Sequence, residues 1–363
     1  MHDHTEPSKR QSSALRPNCD VQGCFVHIGF IAAVTFAVAL LMLSPLMLTP
    51  ASANEMLLGG RAFTPPGQTI PMGDIWAQQG VTHNTPQPVD LAVALDQQLY
   101  PSLGPMIVSF AKKRGVTIAL QNGTCGISAG LLSEKSLDMG GFCCPPGATD
   151  RLPGLKYHTI GIGALALITH PSNPTENITV HDARALFGND IRDWSELPMS
   201  GFKTGEHQQV RALARLHCKI RPGHWRLILD SEQDFGWGIT EVSAIKDMVQ
   251  QVSFTPGAVG YETLWHIDRL AQEDKSMVKT LRVNGTSPHD SVALARGQYP
   301  LYRVFNITTW TDKPAHSALG DELAAYLVDQ AKHIKPDFAI VPASELRRYG
   351  WAFEGTELLG EPK

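Results

Sequence analysis

Several signatures of catalysis and cofactor attachment are missing from this sequence. It contains no C-x-x-C-H run, which excludes a covalently attached c-type haem. It also lacks C-x-x-C and H-E-x-x-H, the spacings that many zinc sites use, and a Walker-type phosphate loop. We therefore expect neither an enzyme nor a protein that depends on a cofactor.

A strong excess of positive charge is missing as well. The 363 residues include 31 Lys and Arg against 35 Asp and Glu, for a formal net charge of −4. There is no basic stripe and no alternation of basic with aromatic residues, the features that mark nucleic-acid binding. We therefore expect no nucleic-acid partner, and the composition is ordinary for a globular protein.

Long hydrophobic runs are also absent, apart from one near the N-terminus. Residues 28–48 read IGFIAAVTFAVALLMLSPLML, after a basic start and before the small residues Ala51-Ser52-Ala53. This order predicts a secretory signal peptide over residues 1–53, with a retained membrane anchor as the alternative, since the run is long enough to span a bilayer. Either outcome predicts a periplasmic or otherwise extracytoplasmic protein.

Cysteine is scarce, and export decides how it is interpreted. Cys19 and Cys24 fall within the predicted signal peptide. The remaining cysteines would meet an oxidising compartment in which disulfides persist, and four cysteines allow three pairings. These four are Cys125, Cys143, Cys144 and Cys218.

The chain after the signal alternates between strand-like and helix-like segments. Residues 54–88 form an irregular lead-in rich in Gly, Pro and Gln. From Val89 onward, short apolar runs such as DLAVAL and VTIALQ alternate with helical patterns such as YPSLGPMIVSFAKKRG. This alternation predicts an α/β protein with mostly parallel sheets, in which ligands bind where strands end and helices begin. The turn NGTCG, residues 122–126, is such a position.

Four segments, in order, resemble the phosphate-binding proteins of ABC transporters. They are NGTCGISAGLLSEKSLDMGG, GALALITHPSNPTENITVHDARALFGNDIRDWSEL, PGAVGYETL and VNGTSPHDSVALARGQYPLYRVFNITT. The resemblance spans roughly Val89 to Thr309 and implies a type II periplasmic-binding-protein fold. Two α/β lobes with mixed, mostly parallel sheets would be joined by a hinge of two strands. Residues 89–166 and 282–363 would form lobe I, and residues 167–281 lobe II. The resemblance also implies a monomer that binds a small anion and hands it to an ABC-type membrane permease.

The same resemblance suggests which residues line the ligand site. Thr124 matches the hydroxyl position of the first-lobe loop, Asp138 matches an aspartate that accepts a hydrogen bond from a protonated oxyanion, and Arg215 matches the arginine of the second-lobe loop. After that arginine the family pattern has Gly-Ser-Gly-Thr, whereas this chain has RLHCKIRPGHW, which places His217 and Cys218 at the site. The ligand could therefore be phosphate or a related oxyanion.

Every cysteine after the signal then falls beside the predicted site, Cys125 in its first loop. A disulfide from Cys125 to Cys143 or Cys144, of which we favour Cys144, would staple two neighbouring loops. Alternatively, the chain could be a metal- or redox-active protein in which Cys125, Cys144, Cys218 and His217, or His224 in place of His217, bind a soft metal such as copper or zinc. A third alternative is a ligand sensor or scaffold without transport.

Overall fold

A computed structural model describes residues 63–147, 149–216 and 224–363. The predicted signal peptide, His217 and Cys218 lie outside these ranges. In the described ranges, no helix is both long and apolar enough to cross a membrane.

The elements follow one another as an alternation of strands and helices. The strands are β1 (Leu91–Leu95), β2 (Ile118–Asn122), β3 (Met139–Phe142), β4 (Leu155–Thr169), β5 (Asn177–Ile178), β6 (Arg211–Ala214), β7 (Thr240–Glu241), β8 (Ala258–Thr263), β9 (Lys279–Thr280), β10 (Arg282–Val283), β11 (Tyr302–Trp310), β12 (Val341–Pro342), β13 (Ala352–Glu354) and β14 (Glu357–Gly360). The α-helices are α1 (Asp74–Ala77), α2 (Leu99–Arg114), α3 (Cys125–Ser133), α4 (Val180–Gly188), α5 (Ile245–Phe254), α6 (Leu264–Glu273), α7 (Ser291–Ala295), α8 (Ala318–Gln330) and α9 (Ala343–Arg348). Single 3-10 turns cover Trp194–Glu196, His224–Leu227, Glu232–Asp234, Ala331–His333 and Pro336–Phe338.

Most strands join one mixed sheet in the order β2-β1-β3-β11-β4-β8-β6-β7. The pairs at its two ends, β1 with β2 and β3, and β6 with β7 and β8, are parallel. In the middle, β4 and β11 are antiparallel to each other, and β4 is antiparallel to β8. The mixed α/β architecture predicted from the sequence is confirmed.

The long strand β4 connects two separate hydrophobic cores. Its first half packs Tyr157 and Ile160 into a core that also contains β1, β3 and α2. Its second half, from Ile162 on, packs into the core that surrounds β6, β8 and α5. Strand β11 makes the same passage, with Val304 in one core and Phe305 in the other. Exact lobe boundaries stay a prediction.

Local sequence signals explain where the helices begin and end. Thr179 caps α4 in a capping box: its hydroxyl accepts from the Asp182 amide, and the Asp182 carboxylate accepts from the Thr179 amide. Gly115 ends α2 in the left-handed conformation, with φ of 68°. Helix α4 ends at Gly188, as the sequence predicts, and the left-handed residue that follows it is Asn189, with φ of 67°.

Candidate functional site

A cavity with several charged side chains in its wall lies between elements of the two cores. Its volume is about 560 Å³. The wall on one side comes from residues that follow β1 and β3 and from the start of α3, and on the other side from residues after β6 and at the starts of α5 and α6. The residues that line it are Asp96, Gln97, Thr124, Cys125, Gly126, Cys143, Arg215, His224, Ser243, Ala244, Ile245, His266 and Arg303. This is the strand-end position expected for a ligand in an α/β fold.

Arg215 and Glu262 form a buried ion pair in the cavity wall. Arg215 Nη2 lies 2.8 Å from Glu262 Oε2, and the Arg215 backbone is fixed by Tyr261, whose hydroxyl accepts from its amide and donates to its carbonyl. Burial is the largest single influence and disfavours charge on Glu262, but the Arg215 guanidinium, the contact with His266 and the charge of Arg303 together outweigh it and hold the pKa of Glu262 below its usual range. Arg215 Nε is buried without a hydrogen-bond partner among the described residues. That N–H is free to donate to a ligand.

Arg303 places a second guanidinium against the same carboxylate. Its Nη1 lies 3.7 Å from Glu262 Oε1, and its Nε donates to the Cys143 carbonyl at 3.3 Å. Its Nη2 lies 3.0 Å from His224 Nε2 and donates to that nitrogen. Burial, together with the positive charge of Arg303, lowers the pKa of His224 to about 4. His224 is therefore neutral at physiological pH, and Arg303 keeps its charge.

Asp96 contributes a buried carboxyl of which one oxygen accepts hydrogen bonds and the other has no partner among the described residues. It follows β1, and its Oδ1 accepts from the Gln98 and Leu99 amides at the start of α2. Its Oδ2 is buried without a partner among the described residues. Burial, and then the nearby Cys143 sulfur, raise the pKa of Asp96 to about 7. Near neutral pH this group can either donate or accept a hydrogen bond.

The N-terminus of α3 points toward the same cavity. Thr124 caps the helix, its Oγ1 accepting from the Ile127 amide at 3.2 Å, and Cys125 and Gly126 are the first helical residues. Amides in the first turn of a helix have no partner within the helix and carry the positive end of its dipole. This end of α3 therefore favours an anion.

Three cysteines and a histidine meet at the edge of the cavity. Cys143 Sγ lies 2.8 Å from Cys125 Sγ and 3.6 Å from His224 Nε2. One ligand atom from each of Cys143, Cys144 and His224 lies within 4.8 Å of the others. Hydrogen bonds from Cys125 and from Cys144, and then the charge of Arg303, lower the pKa of Cys143 well below its usual value despite burial. No disulfide joins the three described cysteines to one another.

Comparison with known proteins places this geometry in context. The chain is 23% identical over 257 residues to the phosphate-binding protein PstS of Bacillus subtilis (strain 168). The aligned residues cover 68% of this chain and 79% of PstS. An ABC-type phosphate transport receptor from Vibrio cholerae superposes with a TM-score of 0.55 at 17% identity, over 69% of this chain and 99% of the receptor. A Clostridium perfringens protein, described as a phosphate ABC transporter substrate-binding protein with bound phosphate, superposes with a TM-score of 0.58 at 15% identity. The superposition covers 70% of this chain and 99% of that protein. No family model matches the chain.

The fold is that of the type II periplasmic binding proteins. The solved relatives are covered almost end to end, and the element order agrees with the resemblance seen in the sequence. Within this periplasmic-binding-protein fold, Thr124, Cys125 and Arg215 all line the one cavity.

Asp138 does not lie where the resemblance implies. Its Oδ2 accepts from the Ala92 amide at 2.7 Å and lies 2.6 Å from His83 Nε2. Ala92 is near the start of β1, whereas Asp96 follows the end of that strand, so Asp138 is at the opposite edge of the sheet from the cavity. The carboxyl in the cavity belongs to Asp96.

The predicted disulfide and metal site also differ from what the structure shows. The sulfur that faces Cys125 is that of Cys143, so the predicted Cys125–Cys144 disulfide is not formed. Of the predicted metal ligands, Cys144 lies in a cluster with Cys143 and His224, and Cys125 lies in a second cluster with Asp96 and Cys143. Any contribution of residues 217 and 218 lies outside the described residues.

Sequence reasoning missed Arg303, Glu262 and Asp96. A charged residue within an apolar strand, as in YRVFNITTW and AVGYET, is a signal that could have found the first two. A G-x-S-x-G pattern at residues 126–130 was also overlooked in the sequence. That serine, Ser128, is completely buried inside α3 and donates to the Ala94 carbonyl at 3.1 Å, so it is not placed as a nucleophile.

Proposed function

We propose that this chain is an exported solute-binding protein that captures a small oxyanion, phosphate or a phosphate-like ion, and delivers it to an ABC-type permease. Its relatives support this, because one is named as phosphate-binding and another was solved with bound phosphate. Under this proposal the chain acts outside the cytoplasm, as a monomeric receptor and not as an enzyme.

The observation that carries the proposal is a pair of buried guanidinium groups that share one carboxylate. Arg215 and Arg303 are each 3% exposed or less, and Glu262, with no exposure, is the carboxylate within 4 Å of both. Glu262 can neutralise one of these two positive charges, and Arg215 Nε is buried without a hydrogen-bond partner among the described residues. An anion bound between the two guanidinium groups would gain charge-assisted hydrogen bonds from both.

Asp96 suggests which anions fit best. Its unpaired Oδ2 would repel a fully ionised oxyanion when Asp96 is charged, but it would accept a hydrogen bond from an oxyanion that carries a proton. With a pKa of about 7, the protonated form could instead donate. This favours phosphate, which exchanges a proton near neutral pH, over anions that stay fully ionised.

The strands that pass between the cores support a closing motion. Strands β4 and β11 each contribute to both cores, and the cavity lies between elements of the two. In our proposal these strands act as the hinge of two lobes, residues 89–166 with 282–363 and residues 167–281, which close around the anion.

The test is calorimetric titration of the dialysed protein with phosphate, sulfate and arsenate. We expect one site per chain for phosphate, and loss of the binding heat in Arg215→Met and in Arg303→Met. Arg114→Met, which removes an exposed arginine paired with Glu322, serves as the matched control and should bind like wild type. Failure of all three anions to bind the folded wild-type protein would refute the proposal.

A further inference from the structure

The proposed anion binding does not account for the cluster of cysteines at the cavity edge. Cys143 and His224 line the cavity and Cys144 does not, and all three residues are at most 6% exposed. Buried thiols in a purely structural role are usually scattered among apolar side chains. Here they are gathered around a histidine that takes a hydrogen bond from Arg303.

We propose that Cys143, Cys144 and His224 form a binding site for a thiophilic divalent cation of the zinc class. The fourth position of the ion would open onto the anion cavity, because two of its three protein ligands line that cavity.

The distances in the cluster match the size of such a site. A tetrahedral ion with Zn–S of about 2.3 Å and Zn–N of about 2.0 Å holds its sulfur and nitrogen ligands about 3.5 Å apart. The Cys143 Sγ to His224 Nε2 distance is 3.6 Å, and the Cys144 ligand atom is within 4.8 Å of both. Three protein ligands with one exchangeable position is a pattern that zinc sites use.

Cys125 has a different role in this arrangement. Its sulfur is 2.8 Å from Cys143 Sγ, which is closer than two sulfurs bound to one tetrahedral ion, and the Cys143 amide also points to it at 3.1 Å. Cys125 would therefore hold the Cys143 sulfur in place from outside the ligand shell, as outer-shell groups do at metal sites.

Charge is balanced when the ion binds. Two thiolates neutralise a divalent cation, so the positive charge of Arg303 is not opposed by a further cation. Coordination by His224 Nε2 would replace the hydrogen bond that this nitrogen now takes from Arg303 at 3.0 Å. The freed guanidinium N–H would then face the cavity, so bound metal should strengthen anion binding.

The experiment is a Co²⁺ titration of the chelator-treated full chain, kept reduced by a phosphine, followed by displacement with Zn²⁺. We expect one equivalent to bind with thiolate-to-cobalt charge-transfer absorption in the near ultraviolet. Cys144→Ser and His224→Asn should each weaken Zn²⁺ binding by more than about 100-fold, since loss of an outer-shell partner alone costs 10–100-fold. His158→Asn, which changes a buried histidine outside the cavity, should retain the site.

Several results would overturn the proposal. Wild-type protein that binds no stoichiometric metal, or shows no charge-transfer absorption, would do so whether or not the variants fold. Loss of the site in Cys125→Ser with retention in Cys144→Ser would refute the assigned ligands. Mass spectrometry that finds Cys143 or Cys144 in a disulfide in the exported protein would also refute it. Phosphate titration of the metal-free protein tests anion binding separately.

Discussion

Replacing Glu262 by glutamine tests the charge arrangement at the centre of the cavity. The carboxylate is completely buried and lies 2.8 Å from Arg215, 3.7 Å from Arg303 and 3.3 Å from His266 Nδ1. Glutamine keeps the shape and removes the negative charge, which leaves two buried guanidinium groups facing a neutral amide. Breaking a buried pair by removing one partner costs about 3–5 kcal/mol.

The bound anion should recover much of that loss. If Arg215 and Arg303 hold the anion, phosphate supplies in Glu262→Gln the negative charge that the carboxylate supplies in wild type. We expect the variant to lose about 3–5 kcal/mol of unfolding free energy without ligand, and to gain more from saturating phosphate than wild type does.

Urea unfolding followed by circular dichroism, in chloride of matched ionic strength with and without phosphate, measures both effects. The control is Glu322→Gln, which breaks the Arg114–Glu322 pair, also 2.8 Å long but with side chains 50% and 44% exposed. Exposed pairs contribute about 0–1 kcal/mol, so this control should change little and should not respond to phosphate. A Glu262→Gln penalty under about 1 kcal/mol, or one that phosphate leaves unchanged, would refute the reasoning.

Three further predictions address the cavity and the fold. Asp96→Asn should raise sulfate affinity at least about tenfold at pH 8, because it removes a negative charge close to the ligand. The gain should be smaller at pH 6, where a carboxyl with a pKa of about 7 is mostly protonated. Equal gains in affinity at both pH values, measured by calorimetry, would contradict this. His158, whose pKa burial and Lys156 lower to about 4, is neutral in the folded protein. The unfolded chain gains a proton below its usual pKa of about 6.5, so wild type should lose roughly 2–3 kcal/mol more than His158→Gln between pH 7 and about pH 4.5 in urea unfolding; parallel curves would argue against it. Thr124→Ala should lower the free energy of unfolding by about 1 kcal/mol through loss of the α3 cap, and should also weaken phosphate binding. Thr179→Ala removes the α4 cap, away from the cavity, and should lower stability equally while leaving phosphate affinity unchanged. Equal phosphate affinities in the two variants would remove Thr124 from the site.

Much of the fold could be predicted because its signals are local. The apolar run at 91–95, the left-handed Gly115 and the capping residue Thr179 each fix a boundary through contacts within a few residues. The division into two cores was less accessible, because β4 reads as one continuous apolar strand. Nothing within that strand marks where it leaves one core and enters the other.

The site was harder to predict because its charges come from distant strands. Arg215 was found through a family motif, but Arg303 and Glu262 come from β11 and β8 and meet it only after the sheet has formed. Asp138 and Asp96 both lie next to β-strands, and spacing alone does not tell which end of the sheet each one occupies. The partner of Cys125 was equally undetermined, since Cys143 and Cys144 are adjacent in sequence.

The central claim, that Arg215 and Arg303 hold a small oxyanion, is tested most directly by a crystal structure with bound arsenate. Arsenic scatters anomalously, so its position can be located without reference to the protein density. We predict one strong anomalous peak in the cavity of about 560 Å³, with oxygens within hydrogen-bond distance of both guanidinium groups and of Asp96. A peak elsewhere on the chain, or no peak at saturating arsenate, would contradict the account.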